Sequence, residues 1–196
     1  MSTNKKAQAA PIDWPLAGLV AVGAVLAVYA APLCDSPSKL CGEWASGKTA
    51  PFGNSVPGSF DKFYQFYLTQ HENESCRRLH FVGTSLVVLN VIFDVSAGIA
   101  VLTASLFGLA AFALTRSLDN GLVEALVFLS TLFLVHYRLA KSHLKPLLLL
   151  VLGYGFAWVG HFYFEHNRPA TFIYPVYSLA SDLKLWADIL TRARPF

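Results

Sequence analysis

Long apolar blocks almost free of charge constrain this chain more than any other feature. They run over residues 15–33, 79–93, 99–115, 122–135 and 147–164. A helix needs roughly 20 apolar residues to cross about 30 Å of hydrocarbon, and several blocks approach or meet that length. Strands fare poorly as an alternative, because open sheet edges cannot face lipid. The blocks predict an all-α, multi-pass transmembrane helical bundle, with four core spans in two hairpins plus an N-terminal span. Composition agrees: 55% of residues are hydrophobic and 14% charged, where a soluble domain carries about 25% charged residues.

The chain divides at about residue 60. Residues 1–59 hold the N-terminal span and a loop, and residues 60–196 form the second unit, a membrane domain. Residues 15–33 suit a retained span bounded by Pro15 and Pro32. The small residues flanking Tyr29, Val28 and Ala30, also suit a cleaved signal peptide; length favours the span. Three cysteines, Cys34, Cys41 and Cys76, form no C-x-x-C, which argues against a disulfide framework or structural zinc. Cys34 and Cys41 would pair only if their loop faced an oxidising lumen. Phe60, Phe63, Tyr64 and Tyr67 fall on one helix face, as suits a helix lying at the headgroup level. The net charge is +3 and the basic residues flank apolar blocks, so no nucleic-acid footprint exists.

Topology sorts the histidines. Four antiparallel spans begin and end on one side, so His80 and His161, 81 positions apart, meet at one face of the membrane. His71 and His166 share that side. His136 and His143 fall on the other and read as solvated hairpin residues. Lys39, Lys48, Lys62, Arg77, Arg78, Arg116, Arg168, Lys184, Arg192 and Arg194 also sit on the His80 side, against Lys5, Lys6, Arg138, Lys141 and Lys145 opposite. Positive charge is retained in the cytosol, so the histidine side is expected to face it.

His71 and His80 would point about 180° apart on one unbroken helix. They share a site only if the helix breaks between them, and Asn73 is a good N-cap for a new one. Otherwise His71 is an exposed interfacial residue. His161 lies at the edge of an apolar span, where ionisable groups are costly and mark function. His161 and Glu165 are four apart and share a helix face; together they suit iron or zinc, or else a hydrogen bond that staples the helix end. His166 joins them only if the helix ends first, which Asn167 and Pro169 permit. The chain has no H-E-x-x-H, G-x-S-x-G or P-loop.

The segments Phe63-Tyr64-Gln65-Phe66-Tyr67, His71-x-Asn73 and Arg78-Leu79-His80-Phe81-Val82-Gly83 accompany Gly160-His161-Phe162-Tyr163-Phe164-Glu165 and Arg168-Pro169-Ala170. Together they resemble the iron-dependent 2-hydroxy-fatty-acid dioxygenases, known from fungal phytosphingosine breakdown. The resemblance spans about residues 60–186. It leaves out residues 1–59, and His166 stands where relatives carry a basic residue. The wording Arg168-Pro169-Ala170-Thr171-Phe172 looks closer to a bacterial-type branch.

The resemblance implies an endoplasmic-reticulum membrane enzyme if the source is eukaryotic, with Fe(II) on His71, His80 and His161 and Glu165 as a fourth group. It implies that a 2-hydroxy long-chain fatty acid and O₂ give the acid one carbon shorter, CO₂ and water. Arg77 or Arg78 is expected to hold the substrate carboxylate, since Arg suits planar bidentate recognition. The acyl chain would lie among the spans and membrane lipids. Two other readings stand beside this one: a zinc-dependent membrane hydrolase using the same ligands, and a non-catalytic lipid-binding or scaffold protein.

Overall fold

The computed structural model describes residues 14–35, 60–115, 118 and 120–196. The described residues form helices and turns, with no strand among them. They are α1 (Trp14–Asp35), α2 (Phe60–Thr69), α3 (Glu74–Phe93), α4 (Val95–Leu114), α5 (Leu122–Ala140), α6 (Leu144–Glu165) and α7 (Pro175–Leu190). Helices α3 to α6 are each long and apolar enough to cross a membrane. The expected four spans are therefore present, and α1 adds an apolar helix whose Leu16 and Leu19 pack on α4 and α5. The possible Cys34–Cys41 pairing lies outside the described residues, apart from the helical backbone at Cys34.

Short polar devices set the ends of the spans. Asn73 caps α3, its side-chain oxygen accepting from the Ser75 N–H at 2.8 Å. Asp94 ends α3 and caps α4, accepting from Ser96 N and Ala97 N at 3.0 and 3.3 Å. The gap between the apolar blocks 79–93 and 99–115 thus holds a single non-helical residue, Asp94, because one carboxylate satisfies the free N–H groups of the next helix. Lys145 reaches across to Asp94 at 2.6 Å and ties the start of α6 to this turn. Helix α6 begins at Leu144, so Pro146 falls inside the first turn, where its missing N–H needs no partner.

Packing crosses the hairpins. Helix α4 packs most extensively on α5, and α3 packs along α6. Small residues permit the second contact. A Cβ on Gly83 would lie 2.8 Å from the Leu152 carbonyl oxygen and 2.9 Å from Phe156 Cβ. One on Gly160 would lie 2.9 Å from Cys76 Sγ. Small residues at membrane helix interfaces let backbones approach in this way. This close approach sets His80 of α3 beside His161 of α6. Helix α6 also widens into π turns at Val151–Gly155 and Gly160–Glu165, a distortion frequent at functional sites.

Helices α2 and α7 cover the end of the bundle where α3 starts and α6 finishes. Phe63, Tyr64 and Tyr67 of α2 are buried with Phe112, Tyr174, Tyr177, Leu185 and Ile189. Phe63 and Phe112 meet the Tyr177 ring at centroid distances of 5.4 and 4.7 Å. The aromatic stripe read from the sequence is therefore the glue between α2, α7 and the bundle.

Candidate metal centre

His71, His80 and His161 come together at this end. Their ring centroids are 4.5, 4.6 and 5.1 Å apart, with the rings steeply inclined to one another. All three are buried. The helix break between residues 69 and 74 turns His71 toward His80, so the 180° problem of a continuous helix does not arise.

Each ring is held through its Nδ1. His71 Nδ1 lies 2.6 Å from the Tyr67 carbonyl oxygen, His80 Nδ1 2.8 Å from Asp182 Oδ1, and His161 Nδ1 2.7 Å from Asn167 Oδ1. The Asn167 amide nitrogen donates to the Gln70 carbonyl at 3.0 Å, which leaves its oxygen facing His161. A carbonyl, a carboxylate and an amide oxygen only accept, so all three rings donate from Nδ1, which leaves Nε2 as the ring nitrogen not engaged by these anchors. His71 Nε2 and His80 Nε2 are buried without a hydrogen-bond partner. Buried polar atoms are rarely left so, and three imidazoles fixed through Nδ1 are the arrangement of metal-binding histidines. The residues fit a divalent metal.

Electrostatics keep the donors in ligand form. Burial, with His80 and His161 beside it, holds the His71 imidazole well below its ordinary pKa, hence neutral. Burial alone would raise the Asp182 carboxyl, but His80, Thr84 and Tyr67 together hold it below the usual range. Burial and Asp182 push the Tyr67 phenol well up, so it remains a donor.

The loop carrying His71 is clamped to the end of α6. Asn73 N–H donates to Glu165 Oε1 at 2.7 Å. Glu165 therefore braces this loop through one of its oxygens. Arg77 donates to the His71 carbonyl at 2.8 Å and also to the Glu72 carbonyl and a carboxylate oxygen of Phe196. Arg78 is largely exposed, pairing with Glu74 and lying over the Phe196 ring. His166 takes a left-handed conformation that ends α6, and its side chain is exposed; it does not join the cluster.

The sequence reading missed four groups. Asp182, Asn167 and Thr84 carry no signal without knowledge of which helices touch. Cys76 had one: it lies four residues before His80 on α3, hence on the same face. It is buried, and its Sγ lies with one donor atom each of His71 and His161 inside a 4.8 Å span. Donor spacing thus selects His71, Cys76 and His161, whereas ring orientation selects the three histidines. His80 is held through Nδ1 by Asp182, and its Nε2 is buried without a partner. One expectation is corrected. His136 is not a solvated hairpin residue but fully buried, its Nδ1 3.1 Å from the Ser142 carbonyl, because α5 stays helical to Ala140 and carries His136 inside the span.

A model of the Mpo1-like family, described as 2-hydroxy-palmitic acid dioxygenase Mpo1-like, matches residues 58–194. No curated protein and no solved structure matches the chain. The family match takes in every residue of the histidine cluster and its anchors, over well more than half the chain, and this protein belongs to the Mpo1-like family.

Proposed function

We propose that this protein is an Fe(II)-dependent dioxygenase that shortens 2-hydroxy fatty acids by one carbon. The observation that carries this reading is the pair of buried, unpartnered Nε2 atoms on His71 and His80 beside His161. The family description supports the substrate class. The reaction balances without another reductant: R–CH(OH)–COOH and O₂ give R–COOH, CO₂ and water, with all four electrons drawn from the substrate.

His71, His80 and His161 hold the iron. Fe(II) bound there would supply Lewis-acid and redox chemistry toward the 2-hydroxy acid and O₂. Tyr67, Asp182 and Asn167 keep the three rings oriented. Either Arg77, which bonds the His71 carbonyl, or Arg78, which is exposed and pairs with Glu74, receives the substrate carboxylate. Glu165 acts through the loop it braces, holding His71 against α6. The acyl chain lies among the spans, with its head at the cytosolic face; in a eukaryotic source the membrane is that of the endoplasmic reticulum.

The test is CO₂ release from a 2-hydroxy long-chain acid by anaerobically purified protein given Fe(II) and then O₂. Wild type releases CO₂ and His161→Ala does not; a folded wild type without bound metal or CO₂ release would contradict the proposal. Cys76 favours a second reading, a zinc centre, since thiolate suits zinc. Under that reading zinc restores activity without oxygen, and Cys76→Ala abolishes metal binding. On the iron reading Cys76→Ala retains the metal.

A further inference from the structure

Asp182 stands outside the spans, on α7, 102 positions from His80. Its carboxylate nevertheless gathers donors from two other helices. Oδ1 faces His80 Nδ1 at 2.8 Å and accepts from the Tyr67 hydroxyl at 3.1 Å. Oδ2 accepts from the Thr84 hydroxyl at 2.7 Å. Thr84 lies one turn beyond His80 on α3, so both oxygens are engaged from the same helix face.

We propose that Asp182 is the positioning residue of the metal centre, fixing His80 as an Nε2 donor and placing a carboxylate charge behind one ligand only. This rests on the metalloenzyme reading above. The three anchors differ in kind: a main-chain carbonyl behind His71, an amide oxygen behind His161 and a carboxylate behind His80. A hydrogen bond to an ionised acceptor is about twice as strong as a neutral one. It raises the basicity of the far ring nitrogen, and loss of such a partner typically costs 10- to 100-fold in metal affinity. The charge also offsets part of the dication's charge where little water screens it. Helix α7 thereby belongs to the centre, although it crosses no membrane and bears no ligand.

The alternative role is mechanical: Asp182 would only dock α7 on α3. Thr84→Val separates the two, because it removes a docking bond without touching His80. The experiment titrates metal-free, detergent-solubilised full-length protein with Co(II) against a chromophoric chelator. Asp182→Asn keeps the shape and removes the charge; Asp182→Ala removes both. The expected result is about 10-fold weaker binding for Asp182→Asn, about 100-fold for Asp182→Ala, and little change for Thr84→Val. In parallel, ¹⁵N-histidine spectra of metal-free wild type show a proton on His80 Nδ1, a measurement that needs no variant to fold. Wild-type affinity in both Asp182 variants, equal losses in Thr84→Val and Asp182→Ala, or a His80 with no proton on Nδ1 would each overturn the proposal. A folded wild type that binds no Co(II) overturns the metal reading itself, and this proposal with it.

Discussion

The two ends of the bundle each bury histidine, yet only one end builds a centre. At the far end His136 is fully buried, with Nδ1 held by the Ser142 carbonyl and Nε2 without a partner. Its neighbour His143 is exposed and stacks on Tyr137 at 4.4 Å. At the near end His71, His80 and His161 are likewise buried and held through Nδ1, with Nε2 of His71 and His80 unpartnered, but these rings converge, with centroids within 5.1 Å. Burial and an idle ring nitrogen are thus common to both ends. What separates them is convergence, and that comes from three devices: the break before α3, the glycine contact between α3 and α6, and the anchors on α7 and Asn167. Among the described residues, the one group of three or more close metal-ligand atoms lies at the near end.

The widest separation between the ends comes from removing a ring at each. His161→Ala removes a proposed ligand and should cost more metal affinity than the roughly 10- to 100-fold expected for losing an outer anchor. His136→Ala should leave metal content at the wild-type level, with a stability loss of about 0.5–3 kcal/mol, the ordinary range for a buried substitution. Metal analysis beside thermal melting reads both; loss of metal in His136→Ala would erase the contrast.

Gly83→Ala tests the contact that brings the ligands together. The added Cβ would meet the Leu152 backbone, so α3 and α6 must separate, at about 1–3 kcal/mol. A melt of the metal-free variant measures that cost, and titration should show weaker metal binding. Unchanged melting would mean that the helices have slack.

Acid should also distinguish the ends. The His71 pKa is depressed in the folded state, so the unfolded chain takes up this proton first as pH falls below about 6.5. Metal-free protein should therefore lose stability from that pH downward, toward the lower folded value, and His71→Phe should flatten the slope. At the far end Lys145, by hydrogen bond first, holds the Asp94 carboxyl below its ordinary value. Its contribution is present above about pH 4 and is lost as pH falls through the folded value. The pair is partly exposed, so Asp94→Asn should cost about 1 kcal/mol or less near neutrality. The difference in melting temperature from wild type should shrink below pH 4.

The spans were legible because a membrane crossing demands length and absence of charge, both visible in one dimension. The placement of His80 with His161 was legible too, since it follows from counting crossings. The break at residues 70–73 could be read from Asn73, whose preference for helix starts is local. Asp182 was not legible: its importance depends on α7 folding back onto α3, and nothing in its neighbours on the chain records that. Glu165 shows how local geometry alters a spacing argument. Its spacing from His161 assumes a regular α-helix, whereas Gly160–Glu165 is a π turn and the carboxylate braces Asn73. His136 misled because a histidine beside basic residues looks solvated until the helix is seen to continue past it.

The central claim is tested most directly by gas stoichiometry. Protein loaded anaerobically with Fe(II) is given a 2-hydroxy long-chain acid carrying ¹³C in its carboxyl group, then a limited quantity of O₂. The account predicts one labelled CO₂ for each O₂ consumed, with no added reductant or co-substrate, and neither gas change in His161→Ala. Turnover without O₂, or O₂ uptake that requires a second reductant, would contradict it.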